Sequence, residues 1–230
     1  MLQTAQKISV EIKRTIELNY LENLPKDYDG KSEKKYPLVI FLHGMGERGN
    51  DVKKVAAHGI PKLIEKKSPL LQKYEFIAVS PQCPEPYVWN FIPEALENLI
   101  KNCIEKLSVD TSRIYLTGLS MGGFGTWGFI CRRPNLFAAA APICGGLRGD
   151  GSEENLSVIT HLPLWVFHGA KDSTVPLSAS AEPVAILNEL GADVKFTVYP
   201  DVEHDSWTQT YENPNFYKWL FSQKNEAFKF

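Results

Sequence analysis

Residues 113–123 read Arg-Ile-Tyr-Leu-Thr-Gly-Leu-Ser-Met-Gly-Gly. The apolar residues before the first glycine predict a β-strand, and the apolar pattern of residues 124–132 predicts a helix. Between them lies a G-x-S-x-G pattern, in which a serine sits on a sharp strand-to-helix turn. Such a turn is strained and needs small neighbours, which Gly118 and Gly122 supply. The stretch therefore predicts that Ser120 is a nucleophile exposed at the N-terminus of a helix.

A serine hydroxyl becomes a useful nucleophile only when a base takes its proton. Chains with this turn place an acid and then a histidine after the serine. His204 follows the last predicted strand, 194–199, and Asp172 follows the strand predicted at 163–168. Open α/β sheets place their sites at the C-terminal ends of the strands. The order of these residues predicts Ser120 as nucleophile, Asp172 as acid and His204 as base.

Two further carboxylates compete with Asp172 for the role of the acid. Asp205 adjoins His204 in sequence, which makes it hard for this carboxylate to orient the far ring nitrogen. Asp201 is typical of a residue that caps its own loop, although Asp172 could also be a turn cap. Chain order and loop position favour Asp172. We expect the other histidines to anchor loops, mark turns or lie at the surface: His43, His58, His161 and His168.

The charge that develops on a substrate carbonyl needs two backbone N–H donors. One donor is expected from Met121, the residue after the nucleophile. The other is expected from the glycine-rich loop 43–49, which follows an earlier strand. Within this loop we predict the N–H of Met45, with Gly44 and Gly46 as alternatives.

Several motifs together resemble those of one family. They are Leu42–Gly49, Ser80–Pro84, Gly118–Trp127, Ala141–Gly146, His168–Asp172 and His204–Trp207. The chain resembles compact α/β-hydrolase esterases of the phospholipase/carboxylesterase and polyhydroxybutyrate-depolymerase-like group, which includes feruloyl and acetyl esterases and predicted peptidases. The resemblance implies the α/β-hydrolase fold and a triad of Ser120, Asp172 and His204. Its motifs are specific for fold and triad, and they do not specify the substrate.

The resemblance also places Trp89 near the mouth of the substrate pocket. The surrounding segment 84–90 contains two prolines, which disfavour a helix or a strand ladder, and it follows the strand predicted at 75–80. We expect Trp89 and Gly44 to bind substrate. The alternative is that Trp89 packs beneath the helix predicted at 92–107, since buried aromatic residues usually serve packing.

The remaining apolar segments predict an alternation of strands and helices. Strands are predicted at about 37–42, 75–80, 113–118, 138–143, 163–168 and 194–199, and helices at about 52–66, 92–107, 120–132, 178–190 and 214–223. Two N-terminal segments, Ile8–Ile12 and Ile16–Leu24, predict a β-ribbon that joins the sheet. The alternation predicts a mostly parallel central sheet with helices on both faces.

Length and composition are those of one globular domain, 1–230, with a hydrophobic fraction of 43%. A net charge of −2 gives no basic surplus for nucleic acid, and no apolar run is long enough for a membrane span. The N-terminal residues lack the apolar core of a signal peptide. The four cysteines show no metal-binding spacing and are expected to be small buried residues, which suits a cytoplasmic location. We expect neither a metal nor a cofactor.

The connection between the strands predicted at 138–143 and 163–168 bears on the substrate. Lids in this fold are usually inserted there, and residues 145–162 are too few for a helical cap domain. An uncapped site accepts bulky or polymer-linked esters. We therefore expect a serine carboxylic-ester hydrolase that acts through an acyl-enzyme on soluble or carbohydrate-linked acyl esters.

Three other functions stay open. A serine peptidase or a thioesterase would use the same triad. From a different class, an inactive α/β-hydrolase binding scaffold could have kept the serine turn by descent. A complete triad argues against a scaffold, because binding alone has no physical need for all three groups.

Overall fold

A computed structural model describes residues 4–9, 13–31, 33–147 and 152–230, with the backbone alone for 152–155. The strands are β1 Tyr20–Asn23, β2 Tyr36–Leu42, β3 Ile77–Pro81, β4 Val109–Leu119, β5 Ala139–Ile143, β6 Leu164–Gly169 and β7 Val194–Tyr199. The α-helices are α1 Gly59–Glu65, α2 Pro93–Lys106, α3 Met121–Arg132, α4 Ser178–Glu189, α5 Trp207–Tyr211 and α6 Pro214–Ser222. Short 3₁₀ segments lie at Met45–Glu47, Val52–Ala57, Leu71–Lys73, Trp89–Phe91 and Ser152–Ile159.

The strands of the described chain form one sheet in the order β1-β3-β2-β4-β5-β6-β7. Strands β2 to β7 pair in parallel, and β1 pairs antiparallel with β3 at the edge. Every residue of β2, β3 and β5 is buried, as expected for parallel strands that are covered on both faces. The prediction of a mostly parallel sheet is confirmed.

Two hydrophobic clusters lie on opposite faces of this sheet. On β2, Leu38, Ile40 and Leu42 pack into the cluster that contains the buried residues of α2, α3 and α4. Val39 and Phe41 alternate with them and pack into the cluster of α1, α5 and α6. Because successive side chains of a strand point to opposite faces, one apolar run supplies both cores. The predicted helical layers on both faces are confirmed.

Helix α2 shows how the local sequence sets an element. Pro93 occupies the first helical turn, where its missing N–H has no helical partner to lose. Leu96, Leu99, Ile100 and Cys103 are buried along one face at helical spacing. Burying each larger side chain contributes roughly 1.5–3 kcal/mol. The helix therefore packs against one face of the sheet and contacts β4, the strand that leads to Ser120.

The predicted N-terminal β-ribbon is wrong in part. Strand β1 covers only Tyr20–Asn23, and residues 4–9 and 13–19 form no strand. Residues 10–12 of the predicted first segment lie outside the described chain. Each residue of β1 has a partner on β3, whereas Ile8 is 85% exposed and has no apolar surface to cover it.

The helix predicted at 52–66 is two elements instead of one. Val52–Ala57 form a 3₁₀ segment, and α1 begins only at Gly59. The chain breaks at His58, which is extended, and at Gly59, whose φ of +64° lies outside the helical region. A hydrophobic pattern over both pieces therefore predicted one helix where the backbone makes a turn.

Two expectations from composition concern burial. All four cysteines are buried, as predicted. Burial raises the pKa of Cys83 and that of Cys103 to about 12, so both thiols stay protonated at neutral pH.

None of the helices in the described ranges has the length and apolar content needed to span a membrane.

Candidate active site

Three loops at one edge of the sheet carry the predicted triad. Ser120 lies between β4 and α3, Asp172 follows β6, and His204 follows β7. Strands β4 to β7 are parallel neighbours, so their C-terminal ends meet at the same edge. Residues that are far apart in sequence are thereby brought together, as the sequence predicted for this edge.

A continuous chain of hydrogen bonds joins the three side chains. The Nε2 atom of His204 lies 2.9 Å from Ser120 Oγ, and its Nδ1 atom lies 2.6 Å from Asp172 Oδ2. Because a carboxylate only accepts, Nδ1 carries the proton and Nε2 is free to accept the hydroxyl hydrogen of Ser120. The side chain of Asp172 is fully buried, and that of His204 is about one-fifth exposed. This arrangement can take a proton from the serine as it attacks.

The backbone at Ser120 is strained in the way the motif predicts. Its φ is +52° and its ψ is −116°, a conformation that costs a non-glycine residue about 1–3 kcal/mol. A Cβ on Gly118 would stand 2.4 Å from the carbonyl oxygen of Gly122, and one on Gly122 would stand 2.0 Å from that of Leu42. The N–H of Ser120 donates to Ile143 O at 2.9 Å. Both glycines are therefore required for the turn to close.

The carboxylate of Asp172 is held from both sides. Its Oδ1 accepts the backbone N–H groups of Thr174 and Val175, each at 2.9 Å, while Oδ2 faces His204. Burial raises the pKa of Asp172, but the hydrogen bonds from His204 and the two N–H groups outweigh it and lower this pKa below its ordinary value. The side chain of Asp172 is therefore an ionised carboxylate at neutral pH.

The two alternative acids are engaged elsewhere. Asp201 is exposed and pairs with Lys171 Nζ at 2.7 Å. Asp205 accepts the N–H of Thr208 at 3.0 Å and its hydroxyl at 2.9 Å, so this carboxylate is bonded to the first turn of α5. Among the described residues, the carboxylate hydrogen-bonded to His204 is that of Asp172.

The two predicted oxyanion donors occupy equivalent positions in their elements. Met45 and Met121 are each the first residue of a helical segment, where the backbone N–H has no helical partner. A Cβ on Gly122 would lie 2.8 Å from His43 O, so the loop that carries Met45 lies directly against the serine turn. The role of these two N–H groups stays a prediction.

His43 anchors the glycine-rich loop 43–49, the predicted oxyanion loop, as expected from the sequence. Its Nδ1–H donates to Gly44 O at 2.6 Å, and its Nε2 accepts the N–H of Cys83 at 2.9 Å. Burial lowers the pKa of His43 to about 4, so the ring is neutral. Gly44 is buried, and a Cβ there would stand 2.9 Å from Leu119 Cδ1. A contact between Gly44 and substrate stays a prediction.

The expectation that Trp89 stands at the pocket mouth is wrong. The residue is 2% exposed, and its Nε1–H donates to His43 O at 3.1 Å. Its ring meets that of His43 edge-on, with 5.1 Å between centroids. A Cβ on Gly125 would lie 2.5 Å from Trp89 Cβ, so helix α3 leaves room for the side chain at this position. The prolines do keep the segment irregular, but the indole turns inward and supports the oxyanion loop.

Gln82, which sequence reasoning missed, and Arg48 also hold this loop. The Gln82 amide donates to Glu47 O at 2.7 Å and to Asp51 O at 2.9 Å. Arg48 Nε donates to Met45 O at 3.3 Å. The available signal was a glutamine directly after an apolar strand, in Ser80–Pro84, since a buried amide needs partners of its own.

One group of described residues brings three potential metal ligands within 4.8 Å of one another: Cys144, Asp172 and His204. Burial raises the pKa of Cys144 to about 12, which disfavours the thiolate that a metal needs. The facing atoms of Asp172 and His204 already bond to each other. The packing of a thiol beneath the triad accounts for the group.

Comparison with known proteins places this geometry in a family. A family model described as Phospholipase/Carboxylesterase matches residues 29–215. The chain is similar to a probable feruloyl esterase C of Aspergillus terreus, with 30% identity over 166 residues, which are 71% of this chain and 58% of that protein.

Solved structures give the same result. A thermostable esterase is 36% identical with a TM-score of 0.80, and the match covers 91% of this chain and 60% of that one. A ferulic acid esterase at 19% identity and a TM-score of 0.64, covering 89% of this chain and 91% of that one, shares the fold. This chain thus spans about three-fifths of the length of the Aspergillus protein and of the thermostable esterase. The α/β-hydrolase fold is confirmed, and the chain belongs to the phospholipase/carboxylesterase family.

Proposed function

We propose that this protein is a serine carboxylic-ester hydrolase that works through an acyl-enzyme. The observation that carries the proposal is the chain of hydrogen bonds from Ser120 Oγ through His204 to Asp172. A serine on a strained turn, a base within 2.9 Å and a buried acid behind it are the parts that nucleophilic catalysis needs. Membership of the phospholipase/carboxylesterase family supports the same chemistry.

In the acylation step, Ser120 Oγ attacks the ester carbonyl while His204 Nε2 takes its proton. Asp172 holds the imidazole in the required tautomer and stabilises the cation that forms. The carbonyl oxygen becomes negative and is bound by the N–H groups of Met45 and Met121. When the tetrahedral intermediate collapses, His204 gives the proton to the leaving alcohol.

In the second step, water attacks the acyl-enzyme with His204 again as the base. The proton passes to Ser120 Oγ, and the carboxylic acid leaves. Residues of this chain supply every proton transfer in the cycle.

For the substrate, we propose soluble or carbohydrate-linked acyl esters. The connection between β5 and β6, residues 144–163, is too short to contain a helical cap domain. An ester with a bulky alcohol can therefore approach Ser120. The relative from Aspergillus terreus is named a probable feruloyl esterase, which supports including an aromatic acyl group.

A panel of activated acetate, butyrate, octanoate and ferulate esters tests the proposal, with amide and thioester analogues beside it. We expect hydrolysis of the shorter or aromatic esters and its loss in Ser120→Ala. A folded wild-type protein that hydrolyses none of the esters would contradict the proposal. Faster cleavage of the amide or the thioester would assign the site to a peptidase or a thioesterase instead.

A further inference from the structure

His168 is a buried polar side chain next to the triad that the proposed mechanism does not use. It lies on β6, four residues before Asp172, and its side chain is fully buried. Its Nε2 atom is 3.3 Å from Asp172 Oδ2, the same oxygen that accepts the proton of His204 Nδ1. The acid of the triad therefore lies between two imidazole rings.

The neighbours of Nε2 fix its protonation. Besides Asp172 Oδ2, this atom faces Val175 O, which lies 3.0 Å away. A carbonyl and a carboxylate both only accept, so Nε2 must carry a proton and donate to this pair. An unprotonated Nε2 would place three lone pairs against one another inside the core, which is costly in the absence of a donor.

The opposite side of the ring reaches two other elements. Nδ1 lies 2.8 Å from Ser180 Oγ on α4, and this hydroxyl donates to Gly145 O at 2.6 Å, just after β5. A single imidazole thus joins three segments. They are the loop after β6 that carries Asp172, called the acid loop below, the first turn of α4 and the start of the connection after β5.

The link continues to the Asp172 carboxylate through Val175. Val175 donates its N–H to Asp172 Oδ1 at 2.9 Å and accepts from His168 through its carbonyl oxygen. If His168 is lost, the loop is free to shift and the carboxylate moves with it. A misplacement of about 1 Å in a catalytic group can cost about a hundredfold in rate.

We propose that His168 is a positioning residue for ester hydrolysis, and that it fixes the Asp172 carboxylate by donating from Nε2 to the acid loop. The inference rests on the proposed function of Ser120, Asp172 and His204.

Two amide variants separate the two sides of the ring. The glutamine side chain in His168→Gln can bring its amide N–H group to the place of Nε2, whereas the shorter side chain in His168→Asn reaches only the place of Nδ1. We expect H168N to lower kcat about a hundredfold with little change in KM, because it lacks the donor to the acid loop. H168Q should stay within about tenfold of the wild-type kcat, since it keeps that donor.

His161→Gln is the matched control. Its Nε2 also lies near a backbone carbonyl, Pro134 O at 3.2 Å, but the side chain is exposed, and the residue precedes β6 whereas the acid loop follows it. We expect its kcat to be that of the wild type. Unfolding midpoints of all variants show which of them are folded at the assay temperature.

A spectroscopic measurement covers the case in which a variant does not fold. In the ¹⁵N spectrum of histidine-labelled wild-type protein, the signal of His168 Nε2 should be that of a ring nitrogen that carries a proton. An unprotonated Nε2, or equal losses of kcat in folded H168N and H168Q, would overturn the proposal. If Ser120→Ala retained activity, the proposed function would fail, whereas normal turnover by H168N beside an inactive S120A would remove only the role of His168.

Discussion

At the scale of single residues, the acid of the triad is defined by what its two oxygens accept. Oδ1 of Asp172 takes two backbone N–H groups, and Oδ2 takes the proton of His204 Nδ1. Asp201 and Asp205 make their bonds to Lys171 and Thr208. Chain order and loop position favoured Asp172 in the sequence, and the contact with His204 Nδ1 is made by this carboxylate.

We expect Asp172→Asn to lower kcat by about 10⁴-fold, while Asp201→Asn and Asp205→Asn retain most of the wild-type rate. The amide can still accept the N–H groups of Thr174 and Val175, so the loop should keep its shape. Its NH₂ group, however, would favour the wrong tautomer of His204. Steady-state kinetics on one activated ester checks this, and a crippled Asp205→Asn beside an active Asp172→Asn would reassign the acid.

A second prediction at this scale concerns acid stability. The pKa of His43 is lowered by burial from its ordinary value of 6.5 to about 4. Below pH 6.5 the unfolded chain takes up a proton at this ring, and the folded protein does not until about pH 4. Protonation therefore favours unfolding increasingly as the pH falls through this window.

We expect the free energy of unfolding to fall less steeply between pH 6.5 and about 4 in His43→Gln than in the wild type, by up to about 3 kcal/mol over the window. Glutamine can still accept the N–H of Cys83 but does not titrate. Denaturant unfolding at several pH values measures the difference, with His161→Gln as the exposed control. Parallel curves for the wild type and His43→Gln would show that His43 is not held neutral by burial.

At the scale of elements, the oxyanion loop is held by the segment that follows β3. Gln82, Cys83 and Trp89 all bond to it, through Glu47 O, His43 Nε2 and His43 O respectively. A loop that must present an N–H to a developing charge gains from such preorganisation, because no reorganisation is then needed during the reaction.

Trp89→Phe should lower kcat about tenfold with little change in KM, because the ring still packs but His43 O loses its donor. Trp89→Ala should instead cost about 3–5 kcal/mol of stability through the cavity it leaves. Trp165→Phe is the matched control, since Trp165 Nε1 donates to Thr197 Oγ1 at 2.9 Å. This contact joins β6 and β7, which are not neighbours of β2, the strand that leads into the loop 43–49. Kinetics and thermal unfolding of the three variants check this. Equal kcat values for Trp89→Phe and Trp165→Phe would mean that the indole N–H does not position the loop.

The sequence predicted the elements that have a regular local pattern of apolar residues. Its predictions failed where contacts with a distant part of the chain determine the structure. Strand β7 and the bounds of α2 and α3 agree with prediction to within a residue or two, because their apolar spacing is regular. Of the described residues of the predicted ribbon, only Tyr20–Asn23 pair with β3, and they form β1. The inward orientation of the Trp89 side chain depends on the lack of a side chain at Gly125 in α3. The residues around Trp89 in the sequence do not indicate this contact.

At the scale of the whole molecule, the sheet determines the site. Parallel order brings the C-terminal ends of β4, β6 and β7 to one edge of the sheet, and the motif that follows each end was legible in sequence. The hydrogen bonds of Gln82 and His168 were not, because each joins two segments that lie in different elements of the fold. The meeting of Ser120, Asp172 and His204 was therefore predictable, and the hydrogen bonds that support them were not.

The short connection between β5 and β6 leads to a prediction about substrates. We expect activity on dissolved esters without a lipid interface, and lower rates for long acyl chains, because residues 144–163 are too few for a cap that would have to open. Rates measured on an octanoate and a longer-chain ester, below and above their solubility limits, check this. An abrupt rise in rate at the solubility limit would indicate a lid.

We expect Ser120 to be the nucleophile of a serine hydrolase. Labelling of the folded protein with a fluorophosphonate, followed by intact mass and peptide mapping, tests this expectation. We predict one covalent adduct on the peptide that contains Ser120, and its absence in folded Ser120→Ala and in wild-type protein unfolded before labelling. A folded wild-type protein that takes up no label, or that carries it on another residue, would contradict the account.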